Sequence, residues 1–146
     1  MWYNFLSKAI ASRTNEPSIQ WTLATCMFLP GMACAVAPRQ ILNLSLRKEK
    51  KMEINSLSVV IFQFFGMQAC LVGTLVGTCR MTEQAYQTFA AAMVPFFGIN
   101  FYYCFRQPIV APLAMLADFV NNLVMSQLAL AGATLLRGAT KGTKKI

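Results

Sequence analysis

The chain contains no histidine. That absence excludes His-ligated haem, His-containing zinc sites and every catalytic triad built on an imidazole base. Acidic residues are scarce too. Five Asp and Glu stand against 13 Lys and Arg in 146 residues, a formal net charge of +8. Charged residues make up 12% of the chain and hydrophobic ones 56%, whereas a soluble domain carries about 25% charged residues. With a mean hydropathy of +0.48, this is the composition of a membrane protein, and the length fits one compact unit. The cysteines Cys26, Cys34, Cys70, Cys79 and Cys104 include no C-x-x-C pair. They read as small packing residues rather than ligands of an iron–sulfur or zinc centre. GxSxG, P-loop and Rossmann glycine patterns are missing as well. Nothing in the chain reads as an enzyme.

What is present is a set of long stretches almost free of charge. A helix needs about 20 apolar residues to cross a hydrocarbon core of about 30 Å. The gaps between charges predict spans over 18–38, 55–79, 84–105 and 109–136, the last interrupted by Asp118 alone. Lipid-exposed backbone must satisfy its own hydrogen bonds, and these runs lack the alternation of a barrel, so they are read as helices. Arg80 and Arg106 follow spans two and three, where their heads can reach water. Trp21, Tyr86 and Phe101–Phe105 sit where aromatic belts form. Short links favour antiparallel neighbours. The expected fold is all-α: a polytopic up-down bundle of four transmembrane helices over 17–137. Pro30, Pro95 and Pro112 fall inside these runs, and each is expected to kink its helix. Lys and Arg divide almost evenly between the two sides, so the positive-inside rule assigns no orientation.

The flanks differ from the spans. In residues 1–16, MWYNFLSKAIASRTNE, the side chains Trp2, Phe5, Leu6, Ala9 and Ile10 share one helical face. An amphipathic helix lying in the membrane plane is expected. The segment is basic, bears hydroxyls and has no acid before Glu16, as mitochondrial targeting segments do. Residues 138–146 form a basic tail that by composition needs a partner to become ordered. Arg47, Lys48, Lys50 and Lys51, with Lys144 and Lys145 in the tail, are candidate contacts for anionic lipid head groups or an acidic partner. No basic face carries interleaved aromatics, so nucleic acid is not an expected partner.

Two constellations inside the spans carry the functional expectation. Span two places Gly66, Ala69, Gly73 and Gly77 on one side, and small residues there let another helix approach closely. That partner is either internal or another subunit. Span four holds Asp118, Asn121, Asn122 and Ser126 as an intramembrane polar seam. A carboxylate at that depth is costly, so it should face protein, water or a partner. The seam reads first as hydrogen bonding between helices, and second as a proton or cation relay.

In layout, with a basic amphipathic N-terminus, several short-looped spans and basic flanks, the chain resembles small accessory subunits of mitochondrial inner-membrane complexes. The resemblance implies a non-catalytic subunit of a respiratory-chain or ATP-synthase assembly. It would pack against other subunits and bind membrane phospholipid such as cardiolipin, with no other cofactor. A small channel or transporter component using Asp118 is the alternative function, and a plastid or endoplasmic-reticulum membrane the alternative location.

Overall fold

The computed structural model describes residues 3–46, 53–106 and 108–143. These form seven α-helices: α1 (Tyr3–Ala11), α2 (Glu16–Val36), α3 (Pro38–Ser45), α4 (Ser56–Thr78), α5 (Glu83–Ala92), α6 (Val94–Phe105) and α7 (Pro112–Thr143). The described residues include no strand, only an isolated bridge between Leu46 and Val110.

Polar caps set the helix starts. The Asn15 side chain accepts from the Ser18 amide at 2.9 Å, Asn55 from Ser58 at 2.8 Å and Thr82 from Ala85 at 3.1 Å. Each satisfies an amide that the first turn leaves without a helical partner. Glu16 and Glu83 add negative charge to the positive ends of α2 and α5.

Three helices are long and apolar enough to cross a membrane: α2, α4 and α7 as far as Ala139. The expected third span, 84–105, is instead two helices that meet at Met93. Pro95 explains the break. It brings no amide and crowds the carbonyl four residues back, so the chain restarts with Pro95 in the first turn of α6. Pro112 likewise opens α7 rather than kinking a span. Pro30 does lie inside α2, which continues through it. The first connection is also not wholly a loop. Ala37, held out of the helical region before Pro38, ends α2 at φ −127°, and α3 follows. At the other end α7 runs on to Thr143, through part of the expected tail.

Helices α2 and α4 run antiparallel and make the most extensive contact in the fold. Helix α7 is the hub, touching α1, α2, α3, α5 and α6. Helices α5 and α6 descend along α7 in the opposite sense, with Glu83 beside Arg137 and Phe97 edge-on to Phe119 at 5.4 Å. Ile19, Leu23, Tyr86, Met125 and Ala129 are among the buried core residues. Helix α1 packs on α7. Its inward side is Ser7, Ile10 and Ala11, and Phe5 and Leu6 remain exposed. The small Ser7 and Ala11 allow the close approach, and Leu135 and Leu136 extend the apolar patch that Ile10 joins.

Candidate functional site

The glycine and alanine positions of α4 face α2. A Cβ placed on Gly66 would lie 2.5 Å from the Ala35 amide nitrogen and 2.6 Å from the Gly31 carbonyl oxygen. On Gly73 it would lie 2.9 Å from the Ala24 oxygen and from the Phe28 nitrogen. Gly77 lies over Ala24 and the Trp21 ring, and Ala69 meets Gly31. The two backbones therefore touch over several turns, and the partner of this stripe is internal.

Long-range hydrogen bonds reinforce the pair. Gln20 Nε2 donates to the carbonyls of Val76 at 2.6 Å and Cys79 at 2.7 Å, which tethers the end of α4 to α2. Gln63 Nε2 donates to Ala35 at 3.1 Å near the opposite end. Gln20→Leu leaves those carbonyls without their donor. A loss of about 0.5–1.5 kcal/mol per bond is expected, read as a lowered thermal midpoint in detergent. An unchanged midpoint would show that the tether contributes nothing.

At the end of the bundle where α2 and α5 begin, a polar clamp joins three helices. Tyr86 is completely buried, and its hydroxyl donates to Glu16 Oε1 at 2.9 Å. Glu83 Oε1 accepts from Gln87 Nε2 at 2.9 Å and Arg137 Nε at 2.7 Å. By sequence alone Tyr86 falls in an aromatic belt and Arg137 at the edge of a tail, and neither position signals the clamp. The one sequence signal for it is Gly132, whose missing side chain makes room for the Tyr86 ring.

The polar seam of α7 divides by depth. Asn122 and Ser126 are buried, whereas Asp118 is exposed. Asn122 Nδ2 donates to Asp118 Oδ2 at 3.0 Å. Among the described residues the ion pair is Arg137 with Glu83, and none involves Asp118. Asp118, Asn121 and Asn122 open onto a cavity of about 540 Å³. Its back wall is α2 and α7, from Cys26 to Cys34 and from Ala114 to Met125. Its flanks are α4 and α6, which make no substantial contact with each other. The exposed Phe65 and Gln68 on one flank and Phe96 and Ile99 on the other place the mouth on the membrane-facing side.

The cleft also holds a residue absent from the sequence reading. Asn100, in α6, is 7% exposed, and its Nδ2 has no hydrogen-bond partner among the described residues. A lone amide inside the apolar run Phe96–Phe105 was the available signal. Arg47, Lys48, Lys50, Lys51, Lys144 and Lys145 lie outside the described residues. Cys26, Cys34, Cys70 and Cys79 are free thiols, and no group of three potential metal ligands occurs among the described residues.

Fold and cleft together define a helical integral membrane protein with a lateral, mostly apolar cleft. No family model matches the chain, and neither the curated proteins nor the solved structures contain a detectable relative.

Proposed function

We propose that this protein is a non-catalytic accessory subunit of a large, energy-transducing membrane complex, a respiratory-chain or ATP-synthase assembly of the inner mitochondrial membrane. Its task is to support assembly, subunit packing and lipid binding. The observation that carries this reading is Asp118. It is exposed on the flank of a membrane-crossing helix, holds one hydrogen bond from Asn122 and forms no ion pair among the described residues. Hydrocarbon does not tolerate such a charge cheaply, so a neighbouring subunit covers it. The basic, acid-free composition of residues 1–15 supports the mitochondrial assignment. In this reading the chain crosses four times, with α5 and α6 making the third crossing as two half-helices that shelter their break against α7.

Passage of protons or cations through Asp118 is the second reading, favoured by the opening of Asp118 onto the cleft. Against it stands the closed packing farther along the bundle, where Ile19, Leu23 and Tyr86 are fully buried.

The test is the native mass after mild detergent extraction from the source membrane, with co-migrating chains identified. A large complex containing energy-transducing subunits is expected. Asp118→Asn should leave both assembly and turnover near wild type, because the amide keeps the hydrogen bonding. A monomer or small homo-oligomer would sink the subunit reading. Loss of turnover in a fully assembled Asp118→Asn complex would favour conduction.

A further inference from the structure

We propose that the cleft between α4 and α6 binds a neutral lipid carrying a free hydroxyl group. Four observations combine. The cavity, at about 540 Å³, falls in the range of about 300–1,000 Å³ typical of small-molecule sites. Its walls are dominated by apolar side chains such as Phe62, Phe65, Val72 and Ile99. Asn100 is more than nine-tenths buried, lines the cavity and has an amide nitrogen with no acceptor. A buried donor left unsatisfied is rare and costs about 1–3 kcal/mol, so an acceptor belongs in that space. Asp118, which borders the same cavity, supplies the opposite need, a carboxylate able to accept more than the one bond from Asn122.

On a lipid, a hydroxyl is the smallest neutral group able both to accept, from Asn100 Nδ2, and to donate, to Asp118. An anionic head group is disfavoured by the carboxylate itself. The hydroxyl leaves the charge of Asp118 in place, so this site does not depend on the subunit reading.

The shape of the cleft selects a lipid over a polypeptide helix. One end is roofed by α3 and the start of α7, where the Ala111 amide donates to the Ser45 carbonyl at 2.7 Å and Leu46 bridges Val110. The inner end is closed by the buried Met93 and Met125. A transmembrane helix needs a groove open along its length, about 10–12 Å wide with its side chains. A single chain or small ring system enters sideways through the mouth and leaves its remainder in the bilayer.

The experiment uses the full chain in phosphatidylcholine nanodiscs. The probes are stearyl alcohol carrying a diazirine and the methyl ether of the same molecule. Light-induced labelling is mapped by mass spectrometry. The alcohol should label the 62–72 and 93–103 segments roughly tenfold more than the ether, which can accept but not donate. Asn100→Leu should lower alcohol labelling several-fold. Ala114→Phe, which fills the cavity and leaves Asn100 and Asp118 in place, should abolish it even if the first variant does not fold. Equal labelling by alcohol and ether, or undiminished labelling in a folded variant, overturns the site. Preferential labelling of a protein that proves monomeric would leave the site standing and overturn only the subunit reading.

Discussion

Gly66→Leu is expected to separate α4 from α2 and to remove most of the folded protein from the membrane. Even a methyl group at Gly66 would sit 2.5 Å from one backbone atom of α2 and 2.6 Å from another, with the Cys34 Cβ at 2.8 Å. Those neighbours are backbone atoms and a Cβ in the last turns of α2, and they cannot swing aside as a flexible side chain would. Overpacking a core costs about 1–3 kcal/mol when side chains can adjust, and here helix backbone must move. Little else holds α4, since beyond α2 its substantial contact is with the short α3. Association in lipid also rests on close packing, because lipid tails match Leu in apolarity and remove the hydrophobic drive. Gly98→Leu is the internal control, because a Cβ there meets nothing within 4 Å. The measurement is the yield of monodisperse protein and its thermal midpoint in mild detergent. Equal behaviour of the two variants would refute the direct backbone contact.

The second large effect is expected at Tyr86. Its side chain is fully buried, its ring faces Gly132 and its hydroxyl is bonded to Glu16. Truncating a buried aromatic costs about 3–5 kcal/mol, so Tyr86→Ala should lower the thermal midpoint steeply. Tyr86→Phe isolates the hydroxyl, and a bond to a charged group contributes about 1.5–3 kcal/mol. Tyr102→Ala is the comparison, since that ring is 44% exposed. If Tyr86→Ala and Tyr102→Ala destabilise equally, the Tyr86 clamp is not what joins α5 to α2 and α7. By contrast Arg137 is 56% exposed and Glu83 34%, and a pair so open to solvent adds roughly 0–1 kcal/mol.

Much of the helical architecture was legible from charge gaps alone. The charge-free stretches 18–38 and 55–79 fall within a few residues of α2 and α4. The glycine and alanine stripe of α4 was visible as a periodicity. Its partner was not, because close approach of two backbones depends on both helices. The break at Met93 was visible only as the kink expected at Pro95, not as two separate helices. Hydropathy reads 84–105 as one apolar run, whereas Pro95 acts on the backbone, where removing an amide and crowding a carbonyl outweigh side-chain polarity. Tyr86 and Arg137 look like interfacial residues in the sequence. Their roles depend on carboxylates far away along the chain, Glu16 for one and Glu83 for the other.

The sequence by itself determined the solvent of this protein. A chain with so few charges, gathered between long apolar runs, must place those runs in hydrocarbon as helices, since each helix satisfies its own backbone. It also determined that Asp118 would be an energetic problem requiring a solution. Tertiary structure alone decided how the helices pair, that α7 and not α4 is the hub, and that Asn100 joins Asp118 around one cleft. The physical reason is the same in each case. Transfer into lipid is largely a sum over single residues, whereas packing and hydrogen bonding across helices are properties of pairs. Those pairs are chosen by shape at distances of a few ångströms, on which hydropathy carries no information.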